Sequence, residues 1–184
     1  MSRSPSHWPA LAAAALLAFT LPAVADTPAA ASSTIRSSMS SLTGTARLSY
    51  PIAADNVRFS FDVHADATGS GPQKAHGTLH IRHYVSGERT SYFWTARAEC
   101  LLTSGRVAVV TGTITDTSPK LEPWRGQRLS FTVVDGQPDQ TGTSGPRPVS
   151  EAPACQVGSK TPATAPAPLM QVTSGGYRVH DGQA

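Results

Sequence analysis

The chain reads as an all-β domain: a single antiparallel β-sandwich or small β-barrel of about seven or eight strands, preceded by a helical signal peptide. Three observations carry that reading. Apolar and polar residues alternate with a period of two over short runs. Clusters of Gly, Pro, Ser and Asp separate those runs at turn spacing. Beyond the first 25 residues, no stretch keeps a helical period.

The first 25 residues have a different character. Arg3 supplies a positive start, residues 10–21 form a short apolar run, and Ala23-Val24-Ala25 makes a small-residue cleavage site before Asp26. That is the layout of a secretory signal, and the run is too short to span a bilayer. No Cys follows the cleavage site, so no lipid anchor is expected there. Residues 26–45, rich in Ala, Ser, Thr and Pro, lack an apolar period and are expected to be flexible. The β-domain is expected over residues 46–184.

The first clear strand covers residues 56–64, with Val57, Phe59, Phe61 and Val63 on one face and Arg58, Ser60, Asp62 and His64 on the other. A loop holding Gly69, Gly71 and Pro72 leads to a second strand, residues 75–85, whose apolar face carries Leu79, Ile81 and Val85. A hairpin centred near Ser70 sets His64 opposite His76, Asp62 opposite Thr78 and Ser60 opposite His80. Ser86-Gly87-Glu88 turns into a third strand, residues 91–102, and Ser104-Gly105 into a fourth, residues 107–115. With that two-residue loop, Leu102 faces Val107, Cys100 faces Val109 and Trp94 faces Thr115. Ala96 and Ala98 then share the Trp94 and Cys100 face, while Arg97 and Glu99 share the other and can pair.

Residues 117–127 read as a Pro- and Gly-containing loop, and residues 128–134 as a fifth strand with Leu129, Phe131 and Val133 inward. Pro, Gly, Ser and Thr dominate residues 136–168, an unusually long connection for a compact domain. Either a weak strand near Cys155 or a staple through Cys155 accounts for it. Residues 171–173 and 177–181 read as short closing strands around Ser174-Gly175-Gly176.

The chain carries 15 Lys+Arg against 12 Asp+Glu, and signal cleavage removes one base, Arg3, and no acid. A scattered surplus this small implies no nucleic-acid partner. No membrane span remains after cleavage. The two cysteines, Cys100 and Cys155, allow one intrachain pairing. In an oxidising compartment a disulfide is favoured over two buried thiols, and closing a loop of about 55 residues stabilises by roughly 4 kcal/mol, less any strain.

Three stretches resemble a known group when taken together: residues 57–64, residues 99–112 and residues 172–181. They are similar to small exported bacterial β-proteins of the actinobacterial type, sometimes labelled repetin-like. The resemblance spans about residues 55–181 and rests on strands and turns. It implies an exported β-fold and transfers no catalytic residue. The Pro-rich stretch of residues 145–168 is longer and less strand-like here than in that group.

Candidate chemistry is sparse. His64, His76 and His80, with Asp62, fall on the polar face of the first hairpin, a possible ligand set for Zn or Cu; the plainer reading is four solvated side chains. His83 falls on the apolar face near the strand end, where a hydrogen-bonded structural His is expected. Asp135-Gly136-Gln137-Pro138-Asp139 resembles part of a Ca²⁺ loop, but a turn at a strand end needs Asp and Gly in any case. None of the common hydrolase, redox or phosphate-loop motifs occurs. A triad assembled from distant residues leaves no sequence trace. Tyr84, Tyr92, Trp94 and Trp124 are candidates for a stacking surface; Trp94 reads as core, and Trp124, in a Pro-Trp-Arg-Gly loop, as an exposed contact.

The expectation is an exported, non-enzymatic binding or cell-surface interaction module with an unspecified ligand or partner. The alternatives are a secreted hydrolase with a dispersed site and a His-based metal-binding module.

Overall fold

A computed structural model describes residues 39–67, 71–149, 155 and 165–182. Eight strands follow one another round a closed barrel in chain order: β1 (Met39–Leu48), β2 (Asn56–Asp66), β3 (Gln73–Val85), β4 (Thr90–Ser104), β5 (Val107–Thr117), β6 (Arg128–Val134), β7 (Gln140–Thr143) and β8 (Met170–His180). Each pairs antiparallel with the next, and β8 returns to pair with β1. The all-β expectation is met, as an eight-stranded barrel. The expected signal peptide and its cleavage site lie outside the described residues.

Alternation builds the core as read. Val57, Phe59, Phe61 and Val63 point inward from β2, and Leu79 and Ile81 from β3, all buried. The β2–β3 register is the expected one, pairing His64 with His76, Asp62 with Thr78 and Ser60 with His80. Gly77 sits in this hairpin with φ +114°, and a Cβ there would lie 2.0 Å from the Asp62 carbonyl oxygen, so only glycine fits. Aromatic rings plug the lumen: Phe131 lies 5.3 Å from Phe59, 5.2 Å from Phe61 and 5.9 Å from Trp94 between ring centroids, and Phe61 lies 5.3 Å from Tyr177. The contacts of Phe131 with Phe59 and Phe61, and of Phe61 with Tyr177, are edge-to-face, which suits the ring quadrupoles, while Trp94 lies tilted to Phe131.

The β4–β5 hairpin differs from expectation in register. Its turn is Gly105-Arg106, with Gly105 at φ +56°, and Ser104 pairs with Val107. Leu102 therefore pairs with Val109, Cys100 with Thr111 and Trp94 with Thr117. Irregularities between Thr95 and Ala96, and between Ala98 and Cys100, shift the ladder further. A bulge reverses which face the following residues occupy. Beyond it Leu101 joins the barrel core, while Cys100 turns outward to pack with Val109, Leu102 and Cys155. Cys100 thus does not share the face of Ala96 and Ala98.

That outward turn lets Cys100 bond to Cys155, with Cα atoms 5.7 Å apart. Thr111 Oγ1 donates to the Cys155 carbonyl oxygen at 3.1 Å, so the staple is also hydrogen-bonded to β5. The long connection carries β7 near its start; the expected weak strand near Cys155 falls on residues that, apart from Cys155 itself, lie outside the described ones.

Two further expectations are corrected. Residues 39–45 belong to β1 and are not a flexible lead-in: Leu42, Ala46 and Leu48 alternate inward among small polar residues. The final segment is one strand, not two around a turn. Gly175, at φ +80°, lets β8 pass close to β1 without a break; a Cβ there would meet the Thr45 carbonyl oxygen at 2.2 Å.

The two barrel ends differ. One carries the short links β2–β3, β4–β5 and β6–β7. The other carries the connections β1–β2, β3–β4, β5–β6 and the long β7–β8 segment, and a 3-10 helix, Pro119–Trp124, forms within the β5–β6 link.

Candidate binding site at the barrel mouth

The end with the longer connections opens into a cavity of about 290 Å³. Its floor is the top layer of the core: Val57, Phe59, Ile81 and Trp94. Its walls come from the connections and strand ends, with Tyr50 before β2, Tyr92 on β4, Leu121 and Trp124 on the 3-10 helix, and Met170 opening β8. Apolar groups dominate this lining, as in ordinary small-molecule sites at barrel mouths.

Position and sequence explain why the 3-10 helix stays over the mouth. Ser118 and Pro119 start it, and the Ser118 amide donates to the Phe93 carbonyl oxygen at 2.9 Å. Leu121 and Trp124 pack on the barrel core. Lys120 Nζ reaches Glu88 Oε2 at 2.9 Å and lies 4.8 Å above the Tyr92 ring, while the Tyr92 hydroxyl donates to Glu88. The Tyr92 hydroxyl and the Lys120 ammonium together hold the exposed Glu88 carboxyl below its usual range. Arg125 closes the far end, with Nε donating to Glu122 Oε1 at 2.7 Å and Nη1 to the Thr115 carbonyl oxygen at 2.5 Å.

One polar group interrupts the apolar wall. His83 Nε2 lies 2.8 Å from Asp55 Oδ2, and the Tyr50 ring packs edge-on to the imidazole with centroids 4.9 Å apart. Asp55 is buried, and its other oxygen accepts from the Ser86 amide at 2.9 Å and the Ser86 hydroxyl at 2.8 Å. The Ser86 amide and hydroxyl, followed by His83, hold the Asp55 carboxyl below its ordinary value. An ionised carboxylate accepts only, so His83 carries its proton on Nε2. His83 is thus the hydrogen-bonded structural His expected on this face. The Ser86 hydroxyl beside it is committed to Asp55 as a donor.

The other sequence candidates are placed as follows. Trp94 is core, as read. Trp124 is half-buried and faces the cavity, so it is not the freely exposed contact expected. Tyr92 joins the same cavity, whereas Tyr84 lies on the barrel exterior, outside it.

The predicted histidine set is only partly assembled. His64 Nε2 is 3.0 Å from Asp62 Oδ1, and its ring stacks on His76 with centroids 5.8 Å apart. His80 turns away, bonding through Nδ1 to Thr95 Oγ1 at 3.0 Å and stacking on Phe93. Among the described residues no group of three or more His, Cys, Asp or Glu side chains is arranged to hold a metal ion. In the Asp135–Asp139 turn the carboxylates accept protein donors: Asp135 from Arg106 at 2.6 Å and the Val179 amide, Asp139 from the Gly136 amide at 2.8 Å and the Tyr177 amide at 2.7 Å. These bonds tie the β6–β7 turn to β8, which accounts for both acids structurally. The Glu99–Arg97 contact is long, at 3.9 Å; Glu99 bonds instead to Arg128 at 2.9 Å and Thr113 at 2.8 Å.

Sequence reasoning missed Asp55, Tyr50 and Leu121. Asp55 precedes a strand as any turn residue does, and its partners come from the far end of the next hairpin. It also missed an alignment of arginines: Arg47 pairs with Arg58 across β1–β2, and Arg58 with Arg82 across β2–β3. Charges scattered along the chain become one row across three strands.

Comparison with known proteins finds no matching family model, curated protein or solved structure.

Proposed function

We propose that this protein is an exported, non-enzymatic carrier-type barrel whose mouth binds a small, mostly apolar ligand bearing a ring. One observation carries the reading: an apolar cavity of about 290 Å³ walled by Tyr50, Tyr92, Leu121 and Trp124 over a sealed aromatic core. Sites for small molecules begin near this size, roughly 300 Å³, so the ligand is compact. Flat aromatic walls favour a flat partner. The first 25 residues and the Cys100–Cys155 bridge both fit export to an oxidising compartment. The barrel exterior carries Arg58, Asp62, His76, Arg82 and Arg97, all exposed, unlike the apolar outer band of a transmembrane barrel.

The test is a fluorescence titration with N-phenyl-1-naphthylamine, a compact apolar dye. Saturable binding to the intact protein is expected, weakened about tenfold or more in Trp124→Ala, where an aromatic wall is lost. Absence of saturable binding, or equal binding by that variant, would overturn the proposal.

A further inference from the structure

On the barrel exterior, across the sheet from the mouth cavity, β2, β3 and β4 form a shallow hollow of about 290 Å³ lined by Asn56, Arg58, Arg82, Tyr84 and Ser91. We propose that this hollow is a second binding site, for an acidic sugar whose carboxylate lies between Arg58 and Arg82 and whose ring lies on Tyr84.

The charge arrangement is the first argument. Arg58 and Arg82 are directly opposed across β2–β3, and Arg47 stands opposite Arg58 on β1. Like charges in register across strands destabilise a sheet. Among the described residues none of the three forms an ion pair with an acid. Arg82 Nη2 donates to Ser91 Oγ at a long 3.4 Å, and Arg47 Nη2 to the Asp55 carbonyl oxygen at 3.5 Å. A fold that keeps uncompensated guanidinium groups side by side offers a carboxylate two planar forks, the geometry that bidentate recognition needs.

The surroundings narrow the ligand class beyond a bare anion. Tyr84 is 37% exposed on the same face, a ring available for stacking beside the arginines. Asn56 Oδ1 has no hydrogen-bond partner among the described protein groups, and a buried acceptor left unpaired costs stability. A ligand hydroxyl is a suitable donor, reached by rotation of the amide. Carboxylate, hydroxyls and a ring with an apolar face occur together in a uronic acid. A free sugar acid and a uronic residue within a polysaccharide share that chemistry.

Titration calorimetry and side-chain NMR of the intact protein test this with glucuronate, a trigalacturonate, glucose and acetate as probes. Glucuronate should shift the Arg58 and Arg82 Nε–H and Tyr84 ring signals saturably, binding about tenfold or more tighter than glucose or acetate. Arg58→Gln and Tyr84→Ala should each weaken it, and added salt should weaken it in the wild type. Tighter binding of the trimer assigns the site to a polymer, and equal binding assigns it to a single sugar acid. Acetate as tight as glucuronate would overturn the sugar assignment, and glucose as tight would overturn the arginine clamp. No saturable shift, or full binding by both variants, would overturn the site. Thermal unfolding of Arg58→Gln separates loss of the site from loss of fold: relief of like-charge contact leaves its stability equal to or above wild type.

Discussion

His83 Nε2 lies 2.8 Å from Asp55 Oδ2, joining the wall of the mouth cavity to a buried carboxylate that precedes β2. With the two bonds from Ser86, this contact ties the β1–β2 connection to the β3–β4 turn. The wall of the mouth is therefore braced by a polar anchor, where its floor is held by apolar packing.

That anchor is acid-sensitive. The folded-state value of Asp55 lies below its ordinary 3.8. Between the two values the unfolded chain binds the proton that the folded chain refuses. The stability from Asp55 is thus full above its ordinary value and lost as pH falls through the lower folded one. Thermal unfolding from pH 7 down to about 2 should show wild type losing stability most steeply at the acid end. Asp55→Asn should start less stable at neutral pH and show a flatter acid limb; parallel curves would show that the anchor contributes no pH dependence.

His80 acts in a higher window. Burial, with the nearby Arg82 charge second, lowers its value below 6.5. As pH drops below that value the unfolded state protonates first, so stability falls until pH reaches the folded value. His80→Gln should remove this shallow loss in mildly acidic unfolding curves while leaving the acid limb of Asp55 in place.

Phe61 contacts both Phe131 and Tyr177 and is 4% exposed. Phe61→Ala should cost about 3–5 kcal/mol in denaturant unfolding, enough to threaten the fold of a small domain. A loss below about 1 kcal/mol would contradict the packing of the lumen.

Reducing the Cys100–Cys155 bridge should lower stability by roughly 2–5 kcal/mol. Unfolding with and without reductant measures it. The paired Cys100→Ser, Cys155→Ser variant should match the reduced protein, since Thr111 still holds the Cys155 backbone in the folded state.

The β2–β3 hairpin was legible because its alternation is strict and its loop is marked by Gly and Pro; one register then satisfies both apolar faces. The β4–β5 register was not, because bulges beside Ala96 and Cys100 have no residue signature and each reverses the faces that follow. β1 was hidden because small Ser, Thr, Gly and Ala dilute Leu42 and Leu48. β8 was hidden because its paired glycines, which serve close approach to β1, look like a turn. The aromatic half of the site was visible as residue types: Tyr92, Trp94 and Trp124 were all candidates. Asp55 and the arginine row were not, since both exist only once distant segments are side by side.

Closure by β1 and β8 places Ser41 beside His180, residues separated by most of the chain. Until the final strand is available, β1 exposes an open edge with no permanent partner, and loop-closure entropy opposes the last step. Closure of the barrel therefore needs the two strands most distant in the chain to meet. An unclosed sheet of these strands has two open edges, and such edges are vulnerable to pairing with neighbouring copies.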